Sequence, residues 1–168
     1  EFTNIAQQAF RTDHTNCYRH VDLSNNILAG GIYVAQWNDD YSSDNLLEVN
    51  ISGNDFNGSD VRIYGHPDDR YDDFKVVFSD NKGVRDLSLE HFERVNSDYN
   101  TLSGQYYIRL VKDYSSRRDT LVRGLNSEGG NGWYIRETKR AQVNQTYVKG
   151  YNTGMYLDRS TVSIDSSM

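Results

Sequence analysis

Gln105-Tyr106-Tyr107-Ile108-Arg109-Leu110-Val111 is the stretch on which the fold turns. Successive side chains of a strand point to opposite faces of a sheet, so period two is its signature. Here the pattern predicts Tyr106, Ile108 and Leu110 on one face and Tyr107, Arg109 and Val111 on the other. The same alternation recurs outward in both directions. Val21 and Leu23 share a face, as do Ile32 and Val34 against Tyr33, Ala35 and Trp37. Leu47, Val49 and Ile51 alternate with Glu48 and Asn50, Val61 and Ile63 with Arg62 and Tyr64, and Phe74, Val76 and Phe78 with Lys75 and Val77. Further runs start at Leu121 and Trp133 and include Val143, Gln145 and Tyr147. Polar and glycine-rich punctuation separates them, as at Asp80-Asn81-Lys82-Gly83 and Gly129-Gly130-Asn131-Gly132.

Short strands at this spacing predict an all-β fold, read as an antiparallel β-sandwich of jelly-roll type with extended terminal segments. A parallel sheet would need crossover helices, and the chain offers almost nowhere to place them. Leu87, Leu89, Phe92 and Val95 fit either a continuous strand or a strand running into a helical turn, so at most one short helix is expected. No internal repeat of solenoid type stands out. The expected organisation is an N-terminal arm or linker over 1–16, a sandwich over 17–150 and an extended tail over 151–168. The tail carries little core of its own, so it needs another sheet or chain to pair with.

Bulk composition fits a thin core. Hydrophobic residues make up 36% of the 168-residue chain, yet it holds 13 Tyr and only 1 Pro. Tyrosine suits a half-buried pleated surface, because its ring packs while its hydroxyl stays wet. The formal net charge of −6 argues against a phosphate-backbone footprint, which needs clustered Lys and Arg. The tight basic pairs, Arg117-Arg118 and Lys139-Arg140, are too small for that and read as solvated faces. Cys17 is the single cysteine, so no intrachain disulfide forms. No apolar run approaches the ~20 residues that cross a bilayer as a helix. The sequons at Asn50, Asn57 and Asn144 are no more than chance supplies in a chain this rich in Asn, Ser and Thr.

No motif declares an enzyme. His14, Cys17 and His20 stand three apart, which would gather metal ligands on a helix but splits them between the faces of a strand. Cys17 with a histidine would make a nucleophilic dyad only if the fold supplied base and orienting group; a lone cysteine is more often a small buried hydrophobe. Asp39, Asp40 and Asp44 form one acidic loop, and Asp68, Asp69, Asp72 and Asp73 another. Such loops suit calcium, or the paired carboxylates of a glycoside hydrolase, but the spacing matches no EF-hand, and a solvated acidic turn is the simpler reading. The expected cofactor is therefore none, with calcium as the alternative.

The aromatics carry more. Trp37, Trp133, Tyr33, Tyr41, Tyr64, Tyr71, Tyr107 and Tyr134 fall at strand ends, in loops or opposite the aliphatic stripe. Sugar rings stack their C–H faces on such side chains while Asp, Asn and Arg engage the hydroxyls. The competing use is to cover the second face of a sheet or to pack a subunit interface. The ligand-binding set expected is Trp37, Tyr41, Tyr71, Trp133, Tyr134, Asp68 and Asp69, with no catalytic residue.

Taken together, Phe10 to Leu23, Gly30 to Trp37, Ser103 to Leu110 and Gly154 to Asp165 resemble distal domains of bacteriophage tail fibres and related receptor-binding proteins. The resemblance is one of texture and transfers no site residue. It implies a sandwich-like head, homotrimerisation along a fibre, a virion or extracellular location, and attachment to host-surface carbohydrate or receptor, without membrane insertion. Two alternatives stay open: a structural virion or surface-assembly module with aromatic subunit contacts, and an extracellular glycan-degrading enzyme using paired aspartates.

Overall fold

A computed structural model describes residues 8–12, 20–35, 48–65, 74–123 and 130–165. Every regular element among them is a strand, and every pairing is parallel. The first coil holds β1 (Gln8–Thr12) and β2 (His20–Ser24), the second β3 (Gly31–Ala35) and β4 (Glu48–Ser52), and the third β5 (Asp55–Tyr64) and β6 (Lys75–Ser79). Then β7 (Lys82–Asp98), β8 (Thr101–Leu102), β9 (Tyr106–Arg117) and β10 (Thr120–Val122) follow within the continuous stretch 74–123. The last coils use β11 (Asn131–Arg136), β12 (Arg140–Asn144), β13 (Tyr147–Lys149), β14 (Thr153–Asp158) and β15 (Val162–Asp165).

These strands stack in register as a parallel solenoid. One ladder runs β1-β3-β5-β7-β9-β11-β14, and a second runs β2-β4-β6-β7-β9-β12-β15. A short third ladder joins β7, β8, β10 and β13. The long strands β7 and β9 bend and serve the first two ladders in turn.

The antiparallel sandwich is thus overturned, for a physical reason. A parallel pair needs a long return path, and here that path is the rest of the coil instead of a helix. Corners replace crossovers. His91 (φ 65°), Leu110 (φ 52°), Glu137 (φ 52°) and Arg159 (φ 49°) turn the chain from the first ladder to the second. Asn25, Gly53, Asp80, Tyr99, Arg118 and Gln145, all at positive φ, turn it from the second towards the third. The stretch 84–99, where at most one short helix was expected, is strand through Asp98: Leu89 and Phe92 lie three apart because His91 reverses the alternation of β7, and both are buried. The same device at Leu110 puts Val111 in the core alongside Tyr106 and Ile108.

Inside, one residue per coil stacks on the next. Phe10, Ile32, Val61, Leu87, Tyr106, Trp133 and Met155 form one inner row, and Val21, Val49, Val76, Val95, Tyr114, Ala141 and Val162 another. After the corners at Asn25, Gly53, Asp80, Tyr99 and Arg118 comes a ladder of polar side chains, Asn26, Asn54, Asn81, Asn100 and Asp119. They recur at separations of 28, 27, 19 and 19 residues. From Asn54 to Asp119 each Oδ1 accepts the backbone N–H of the ladder residue one coil back, and Asn54, Asn81 and Asn100 donate Nδ2 to the Leu23, Ile51 and Phe78 carbonyls at 2.7–2.8 Å. This pays the hydrogen-bond needs of a buried turn. The expected terminal tail belongs to the solenoid, because β14 and β15 extend both ladders.

Candidate ligand-binding face

Parallel, in-register strands about 4.8 Å apart stack like side chains along the solenoid axis. On the outer face of the first ladder the row is Arg11, Tyr33, Arg62, Ser88, Tyr107, Tyr134 and Tyr156. Tyr107 and Tyr134 stack with centroids 5.3 Å apart, and Tyr134 and Tyr156 at 5.0 Å. Nearer the other end, Arg11 lies over Tyr33 at 5.1 Å, and Tyr33 tilts against Tyr64 at 5.8 Å. Burial, then the Glu90 carboxylate, hold the Tyr107 hydroxyl above its ordinary pKa, so it stays a neutral donor and acceptor.

Beside the tyrosines runs a charged row, Tyr64, Glu90, Arg109, Arg136 and Asp158. Arg109 meets Glu90 at 3.4 Å and Glu137 at 3.7 Å. Arg136 meets Glu137 at 3.7 Å and Asp158 at 3.1 Å, and Arg159 pairs with both Glu137 and Asp158. Glu137 therefore sits among three guanidinium groups. The face offers fixed aromatic rings, hydroxyls and forked donors at a regular repeat, the equipment for an extended polyhydroxylated ligand.

Two other outer features are simpler. The second ladder presents Asp22, Asn50, Val77, Asn96, Ser115, Gln142 and Ser163, with Arg140 gripping Asp113 through two bonds at 2.5 and 2.7 Å beside a groove of about 340 Å³. Arg85 grips Asp60 the same way at 2.7 and 2.8 Å, which keeps the guanidinium firmly protonated.

Of the expected ligand-binding set, Tyr134 stands at the centre of this face. Trp133, expected outside, is fully buried. Its register with Tyr106 and Met155 places it in the inner row, where it stacks on Tyr106 at 5.5 Å and donates Nε1–H to Tyr114 at 3.1 Å. Trp37, Tyr41, Tyr71, Asp68 and Asp69 lie outside the described residues, as do His14, Cys17 and the acidic loop Asp39–Asp44. His20 pairs with Glu48 at 3.3 Å. Among the described residues, no three His, Cys, Asp or Glu side chains gather as metal ligands. Sequence reading missed Glu90, Arg109, Arg136, Glu137 and Tyr156. The signal was present: Tyr106-Tyr-Ile-Arg109, Trp133-Tyr-Ile-Arg136 and Met155-Tyr-Leu-Asp158 are three copies of one rung. No family model, curated protein or solved structure matches this chain.

Proposed function

We propose that this chain is a non-catalytic recognition module that holds a host-surface glycan along the tyrosine face of the first ladder. It would act in an extracellular assembly such as a viral attachment fibre, with several copies side by side, as in a trimer. The observation that supports it is the Tyr107–Tyr134–Tyr156 stack with the Arg109–Glu137–Arg136 network at its flank. A polymer lying along the axis meets a tyrosine on each of three successive coils, so weak contacts add within one chain and again between linked copies, by roughly 10²–10⁴ in avidity. A rigid, regular face suits binding of a repeating chain better than cutting of one bond.

A glycan array with the purified chain tests this reading, followed by titration of Tyr134→Ala and Arg136→Ala. Each variant loses one stacked ring or one forked donor, so binding falls about tenfold or more. An array without a hit, or variants that bind as the parent does, sinks it.

A second reading has its own support. Tyr156, Leu157 and Ile164 are 44–56% exposed and lie on β14 and β15, the last described coil. These would serve a subunit contact in a structural module, and that reading requires a mass above the monomer and no glycan binding.

A further inference from the structure

The tyrosine row has a missing rung. Tyr134 covers one side of the Tyr107 ring, and the neighbour on the other side is Ser88. Serine is too short to cover a phenol ring. The next residue in the row, Arg62, reaches along its own strand to Asp60 at 3.5 Å. Tyr64, the nearest ring on that coil, is engaged with Tyr33. Arg62 and Tyr107 are two coils apart, roughly 9.5 Å at the usual strand spacing. Van der Waals contact with an aromatic face takes about 3.5–4 Å. The gap is therefore one saturated ring thick.

The walls carry polar groups where a ring would need them. Ser88 Oγ forms the floor, 3.5 Å from Glu90 Oε1. Glu90 Oε2 is held by Arg109 at 3.4 Å, which fixes the carboxylate, and among the described residues its Oε1 has the weak Ser88 contact. The Tyr107 hydroxyl stands at the rim.

We infer that this slot takes a single neutral pyranose ring of a glycan, its C–H face on Tyr107 and its hydroxyls on Glu90 and Ser88. The inference rests on the glycan-binding reading above and narrows it to one subsite and one class of sugar. A uronate would bring its carboxylate against Glu90, so acidic sugars are disfavoured there.

The test fills the gap. Ser88→Tyr adds the absent rung and continues the stack from Tyr107, so the fold is kept and the slot is closed. Ser88→Ala leaves the slot open. The two are compared with the parent chain and Tyr156→Ala by affinity electrophoresis through dextran, mannan, galactan and, as acidic control, polygalacturonate, with melting measured alongside. The expected result is that at least one neutral polysaccharide retards the parent and Ser88→Ala within threefold of each other, while Ser88→Tyr melts no lower than the parent and loses at least tenfold in affinity. Ser88→Tyr retarded like the parent while Tyr156→Ala is not would overturn the slot and leave the face intact. Retardation by polygalacturonate alone would overturn the neutral sugar. No retardation of the parent by any of the four would overturn slot and face together.

Discussion

Asp119 Oδ1 accepts two hydrogen bonds from Asn100, one from the backbone N–H at 2.8 Å and one from Nδ2 at 2.9 Å. Its other oxygen accepts from Ser116 Oγ at 2.6 Å and from the Tyr106 hydroxyl at 3.3 Å. The residue is fully buried. It occupies the place that asparagine fills in the four coils before it, and so puts an acid at the end of an amide ladder.

That substitution makes stability depend on pH. Burial raises the Asp119 pKa above its ordinary value, and the bonds from Ser116 and Asn100 oppose this only in part. The folded chain therefore keeps its proton to a higher pH than the unfolded chain, whose carboxyl titrates near ~3.9. The contribution to stability is complete below the unfolded value and is lost as pH rises through the folded one. Asp119→Asn has no such loss and restores the ladder's own residue. Its stability relative to the parent, from urea unfolding, rises between pH 4 and pH 7. A difference that stays flat or falls over that range contradicts the argument. Asp119→Ala strands the Asn100 N–H and costs about 1–3 kcal/mol at either pH.

Trp133 gives a prediction opposite to the one its sequence position invites. A surface tryptophan would weaken ligand binding on removal and leave the fold alone. Buried against Tyr106 and bonded to Tyr114, it is part of the core. Trp133→Ala costs about 3–5 kcal/mol by cavity formation, and thermal unfolding measures it. Tyr114→Phe keeps the volume but leaves the indole N–H unpaired, at about 1–2 kcal/mol. Both hydroxyls in this cluster stay protonated, since burial pushes the Tyr106 and Tyr114 pKa values well up.

How much of this was legible follows from what alternation can encode. Val49 and Ile51 inside with Glu48 and Asn50 outward is read directly from period two. The pattern says which side of a strand is wet and nothing of the neighbour's direction, so parallel and antiparallel ladders look alike. The deciding signal was the corner: Ser24-Asn-Asn26, Ser52-Gly-Asn54, Ser79-Asp-Asn81 and Asp98-Tyr-Asn100 share a final asparagine, but their separations differ. A fixed-period search misses a repeat whose coil length changes while its corner chemistry does not. The face was half legible for the same reason. Tyr134 stands out alone, while Arg109, Arg136 and Glu137 become neighbours only once coils are in register.

Glu137 is the hinge of the charged row. It is 20% exposed and contacts Arg109, Arg136 and Arg159. Glu137→Gln leaves three guanidiniums facing one another without the central anion. Repulsion between partly solvated charges is screened by salt. The variant is less stable by about 1 kcal/mol at low ionic strength, where a network is worth more than an isolated surface pair. The deficit shrinks by half or more in 1 M salt, as denaturation at two salt concentrations reports. A deficit that salt does not change would mean that Glu137 acts through packing.

The asparagine ladder sets a gradient of sensitivity along the axis. Asn81 is buried, accepts from Asn54 N–H at 3.1 Å, and gives Nδ2 to the Ile51 carbonyl at 2.8 Å. Asn81→Ala deletes both ends of that link and strands two buried backbone groups with no route to water, which costs about 2–4 kcal/mol at 1–3 kcal/mol per unsatisfied group, less some relaxation. Asn26 is the first member and partly exposed. Its backbone N–H still reaches Asn54 Oδ1 at 2.9 Å when the side chain is cut back, and the lost Nδ2 contacts to Ser24 and Asn54 lie at 3.0 and 3.1 Å. Asn26→Ala therefore costs no more than about 1 kcal/mol. Amide hydrogen exchange follows the same order: Asn81→Ala accelerates exchange at Asn54 and its coil neighbours, and Asn26→Ala accelerates it in the first coil alone. Equal losses for the two variants would show that the ladder acts as independent turns and not as a buried, axially linked chain.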